Sequence, residues 1–96
     1  MSFSGALILV FVNATGHMNH MVEQSIQAVT DQRPTISIIS GSGGRTKLMA
    51  SDLPASLSEN DIVSIAGEIS KRSKCTWNTA LKQSGQPTLE FICPRR

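Results

Sequence analysis

A chain of 96 residues with 40% apolar and 17% charged side chains makes one folded domain with a small aliphatic core, which excludes a disordered chain. The net charge of +2 is small, and the longest apolar run falls well short of the ~20 residues a membrane-crossing helix needs. The only aromatic side chains are Phe3, Phe11, Phe91 and Trp77, so Ile, Leu, Val and Met fill the interior.

Residues 5–12, Gly-Ala-Leu-Ile-Leu-Val-Phe-Val, read as a strand. Alternation puts Ala6, Ile8, Val10 and Val12 on one face and Leu7, Leu9 and Phe11 on the other. Both faces are apolar, which suits a central strand that needs cover on both sides. The run and the following Asn13-Ala14 loosely resemble a secretory signal and its cleavage site, but no basic residue precedes them. Asn13-Ala14-Thr15 also fits the glycosylation acceptor pattern, which matters only in a secretory eukaryotic setting.

Residues 17–32 read as a helix, because Met18, Met21, Val22, Ser25, Ile26 and Val29 recur at three- and four-residue steps. Asn19 or Thr15 is expected to cap its start, and Arg33-Pro34 to end it. His17, His20 and Glu23 are spaced so that a metal set on this helix is thinkable. Three-residue steps drift around a helix, however, and no further ligand follows. They read as solvent-facing, with no metal and no other cofactor expected.

A second strand follows over residues 35–40, a glycine-rich turn over 41–44, and a third strand over 46–51. Gly41, Gly43, Gly44, Arg45 and Lys47 carry the ingredients of an anion-binding loop. The spacing of a P-loop is absent and no helix begins there, so a hairpin turn is the simpler reading. The second helix has the strongest local signature. Ser58 and Asp61 stand as a near capping box, Leu57 and Ile62 as a hydrophobic staple, and Ile62, Ile65, Ala66 and Ile69 as a buried stripe. Gly67 sits mid-helix, where it would allow close packing on the sheet.

Residues 75–82 and 88–93 read as two further strands, placing Cys75 and Cys93 on one face. If Lys82 faces Gln86 the two cysteines are directly opposite; if Lys82 faces Thr88 they are diagonal. Opposed cysteines can form a disulfide in an oxidising compartment, and would be two small buried hydrophobes in a reducing one. A cytoplasmic location is the default, with an extracytoplasmic one expected if the pair is bonded.

The order β-α-β-β-α-β-β implies one domain over residues 1–96, a ferredoxin-like βαββαβ sandwich of α+β class with an extra C-terminal hairpin strand. A three-layer α/β arrangement with one helix per sheet face is the alternative. In the sandwich both helices cover one face. Leu7, Leu9 and Phe11 are then expected on the other, as an interface for a homodimer or another protein.

Charge is unevenly placed. Residues 1–69 carry three Lys or Arg against six Asp or Glu, and residues 70–96 carry six against one. Lys71, Arg72, Lys74, Arg95 and Arg96 form a basic end that keeps nucleic acid open as a partner. Neither a nucleophile–base–acid set nor a carboxylate pair suited to acid–base work is evident. The expected function is therefore a non-catalytic module acting by protein–protein contact, including self-association. A nucleic-acid-binding domain using the basic end is one alternative; a phosphate-ligand protein or small enzyme using the loop at residues 41–47 is the other.

Overall fold

A computed structural model describes residues 5–14, 18–78 and 88–94. It shows a small α+β fold with two helices and a five-stranded mixed sheet. The elements are β1 (Leu7–Val12), α1 (Asn19–Thr30), β2 (Thr35–Ser42), β3 (Arg45–Ser51), α2 (Glu59–Ser73), β4 (Thr76–Asn78) and β5 (Thr88–Ile92). The sheet order is β2-β3-β1-β5-β4, with β1 at the centre as its two apolar faces require. Strand β1 runs antiparallel to β3 and parallel to β5, while β2–β3 and β4–β5 are antiparallel pairs.

Chain direction explains where the helices lie. The β1–α1–β2 and β3–α2–β4 crossovers each join parallel strands, and such crossovers are almost always right-handed. They leave antiparallel strands in opposite directions across the sheet, so both helices land on the same face. One core cluster accordingly holds Val22 and Ile26 of α1 together with Ile62, Ile65 and Ile69 of α2. The alternative with one helix per face does not occur.

The same cluster contains Leu7, Leu9 and Phe11, each fully buried. They were the expected interface, and the structure reverses their role: they are the side of β1 that the helices cover. The physical reason is volume. Residue for residue, Leu7, Leu9 and Phe11 fill a helix–sheet interior and remove more apolar area from water than Ile8, Val10 and Val12 on the opposite face. Phe11 stacks on Phe91 of the neighbouring strand, with ring centroids 5.1 Å apart and planes 17° apart.

Helix α2 begins as its sequence requires. Asp61 donates its backbone N–H to Ser58 Oγ at 3.2 Å, and Ser58 N–H donates to Asp61 Oδ2 at 3.0 Å, completing the capping box. Leu57 and Ile62 are both buried, as a staple requires. Helix α1 is less conventionally closed. Met18 occupies its N-cap without a side-chain hydrogen bond, Asn19 is already helical, and Thr15 lies outside the described residues. The helix stops at Thr30, three residues before the arginine that precedes Pro34, because Asp31 turns left-handed and donates its N–H to Gln27.

Gly67 is exposed, and a Cβ built there meets nothing within 4 Å, so its expected role in close packing is not found. Gly67→Ala should therefore stabilise the protein by about 0.8–1 kcal/mol, the helix-propensity difference. Equilibrium denaturation would read this as a higher midpoint with an unchanged slope.

Candidate interaction surface

The sheet has a second face, which neither helix covers. Register defines it from β1 outward. Ile8 lies between Met49 and Thr88, Val10 between Lys47 and Glu90, and Val12 between Arg45 and Ile92. Ala6 and Ile8 are buried on this face, Val10, Val12 and Met49 are half-buried, and Ile92 is 46% exposed. An apolar row thus runs down the middle of the open face, with polar side chains on either side.

The polar side chains are tied to one another across the strands. Arg45 Nη2 lies 3.4 Å from Glu90 Oε2, and Asn78 Nδ2 donates to Glu90 Oε1 at 2.8 Å. Glu90 is therefore the hinge of a β3–β5–β4 network that passes over the β1 row. Sequence reading missed it because Glu90 is the only acidic residue in a basic segment, and its meaning depends on a strand order the chain sequence does not announce. Exposed ion pairs of this kind contribute little stability; their effect is to hold side chains in place around the apolar row.

Asn13 closes the end of β1. It sits in a left-handed conformation with φ 61°, donates its backbone N–H to Gly44 O at 2.6 Å and its Nδ2 to Cys93 O at 3.5 Å. Asparagine tolerates that conformation better than most side chains. The residue thereby links the β2–β3 turn to the end of β5.

Other candidate residues resolve differently. Gly43 and Gly44 both have positive φ, 60° and 77°, and form a two-residue turn, with Ser42 paired to Arg45. Gly41 pairs with Thr46, and Lys47 pairs with Val10, inside the ladder. These residues are accounted for by a tight hairpin, and Arg45 is directed to Glu90. His20 is exposed on α1, Glu23 pairs with Arg33 at 3.4 Å, and His17 lies outside the described residues. Among the described residues no group of three or more His, Cys, Asp or Glu is placed to hold a metal ion.

Cys75 and Cys93 form a disulfide. The β4–β5 register pairs Thr76 with Ile92 and Trp77 with Phe91, which continues to Cys75 opposite Cys93. This is the register in which Lys82 faces Gln86, although that turn lies outside the described residues. The bond joins the end of α2 to the end of β5. Ser70 Oγ donates to Cys75 O at 2.6 Å and Cys75 N–H donates to Ser73 Oγ at 3.1 Å, fixing the approach. Lys71, Arg72 and Lys74 are exposed beside it, with Arg72 paired to Glu68. Arg95 and Arg96 lie outside the described residues. Among the described residues, the rings that base stacking would need are otherwise engaged: Phe11 and Phe91 are fully buried, and Trp77 packs against the core.

Comparison with protein-family models, with curated proteins and with solved structures finds no match to this chain. No helix among the described residues is long and apolar enough to cross a membrane.

Proposed function

We propose that this chain is a small non-catalytic binding module that works by contact between proteins, and that the open face of its sheet is the contact surface. The supporting observation is the row of Val10 and Val12, flanked by Met49 and Ile92, on a face to which neither helix contributes. The row is apolar at its centre and has fixed polar groups beside it, which is the usual composition of a protein contact. The architecture is read as a variant of the ferredoxin-like plan. Its last strand, β5, is inserted between β1 and β4 instead of being added at the rim. A bonded Cys75–Cys93 pair fits work in an oxidising compartment.

The test is capture of proteins from the source organism with immobilised wild-type chain and with Ile92→Lys. A partner retained by the wild type and lost by the variant supports the reading. Equal retention by both places the contact elsewhere. The nucleic-acid reading predicts oligonucleotide binding that weakens steeply with salt, and retention of that kind would replace the protein-contact reading.

A further inference from the structure

We infer that two copies of this chain join edge to edge through β2, antiparallel, in the register that sets Ile38 of one copy against Ile39 of the other. The inference rests on the contact-module reading only in taking the chain to act by association, and it uses a different surface from the open face.

Strand β2 is an edge of the sheet and is eight residues long. Half of the backbone N–H and C=O groups of an edge strand point away from its single neighbour and can pair with another chain. Natural edges are usually guarded by charge or proline, and β2, Thr-Ile-Ser-Ile-Ile-Ser-Gly-Ser, has neither. Ile38 is 60% exposed and Ile39 is 47% exposed, the two largest exposures among the described large hydrophobic residues.

A bulge interrupts β2 between Ile38 and Ser40. A bulge can itself protect an edge, but this one leaves two isoleucines adjacent and exposed. It also shifts the alternation by one residue. Ile36 and Ile38 share the register of Ala50 and Leu48, on the helix side, and Gly41 that of Thr46 on the same side. Thr35 and Ser37 share the register of Ser51 and Met49, and positions 40 and 42 that of Lys47 and Arg45, all on the open side. A two-fold axis between residues 38 and 39 pairs 37 with 40, 36 with 41 and 35 with 42. In an unbroken strand this pairing would set opposite faces against each other. With the bulge, each of those pairs joins positions of the same face. The Ser37-Ile38-Ile39-Ser40 segment is also palindromic, so the two copies meet with like against like.

Register selects the antiparallel sense, because these same-face pairs arise only when the second β2 runs the opposite way. Thr35 Oγ1 donates to Asp52 Oδ2 at 2.5 Å, which anchors a carboxylate at one end of β2. Arg45 stands beside the other end, paired with position 42. Asp52 and the second copy's Arg45 then stand three strand spacings apart, about 14 Å, and each Arg45 is engaged by Glu90 of its own chain, so the pairing rests on register and not on charge.

Sedimentation equilibrium of the oxidised full chain tests this. The wild type should have twice the chain mass, and Ile38→Lys/Ile39→Lys should have the single-chain mass with an unchanged circular dichroism spectrum. Ile39→Lys alone should shift the equilibrium in the same direction, and serves if the double variant misfolds. Ile92→Lys, on the open face, should leave the mass doubled. A single-chain mass for the wild type, or a doubled mass that survives Ile39→Lys, overturns the edge contact and leaves the open-face reading untouched. Mass doubling abolished by Ile92→Lys instead overturns it in favour of self-association through the face.

Discussion

Phe11→Ala should lower the free energy of unfolding by about 3–5 kcal/mol, the range for deleting a buried aromatic side chain. Phe11 is fully buried and touches the core from the central strand, so the surrounding sheet has little freedom to close the cavity. Its stacking with Phe91 adds a directional term of about 0.5–1.5 kcal/mol beyond area. A double-mutant cycle between Phe11→Ala and Phe91→Ala should therefore show a coupling of that size. Urea titration checks both values. A loss for Phe11→Ala below about 1 kcal/mol, the level of an ordinary surface change, would mean that the phenylalanine face is not the one under the helices.

The second large effect concerns the disulfide. Cys75 and Cys93 are separated by 18 residues, and a loop of that length closed by a cross-link should stabilise the fold by about 3 kcal/mol. Cys75→Ala/Cys93→Ala should lose that amount, which for a domain of this size is a midpoint lower by roughly 12–24 °C. The two residues are 2% and 6% exposed, so a reductant should reach the bond only when the chain opens. Reduction under native conditions should then be slow and should accelerate with mild denaturant, followed by mass after alkylation. Immediate reduction of the native protein would contradict the buried placement.

Much of the fold is legible in the sequence because local signals and global packing agree. Ser58 and Asp61 announce the start of α2, and the Ile62–Ile69 stripe announces the face it buries. The paired glycines at 43 and 44 announce a tight turn, and the polarity change after Val12 ends β1. The side of β1 that faces the helices is not legible from alternation alone, since both faces are apolar. Side-chain volume is the signal that would have decided it, because Leu7, Leu9 and Phe11 outweigh Ile8, Val10 and Val12. Strand order is less legible still. The parallel pairing of β1 with β5 joins residues some eighty positions apart, for example Val10 with Glu90, and no local pattern encodes it. The open-face network of Arg45, Glu90 and Asn78 exists only once that order is known. Gly67 misled for a different reason: mid-helix glycine suggests a close approach, whereas here it faces solvent.

The division of β1 into a side covered by the helices and a side they leave uncovered is tested most directly by equilibrium unfolding of Leu9→Thr and Val10→Thr measured together. Threonine suits a strand in both places; Val10→Thr keeps the side-chain volume and only adds a hydroxyl, whereas Leu9→Thr also removes volume. Leu9→Thr should cost about 3 kcal/mol or more, from lost volume and an unpaired buried hydroxyl, and Val10→Thr less than about 1 kcal/mol. The reverse ranking would place Val10 beneath the helices and leave the open face without its apolar row.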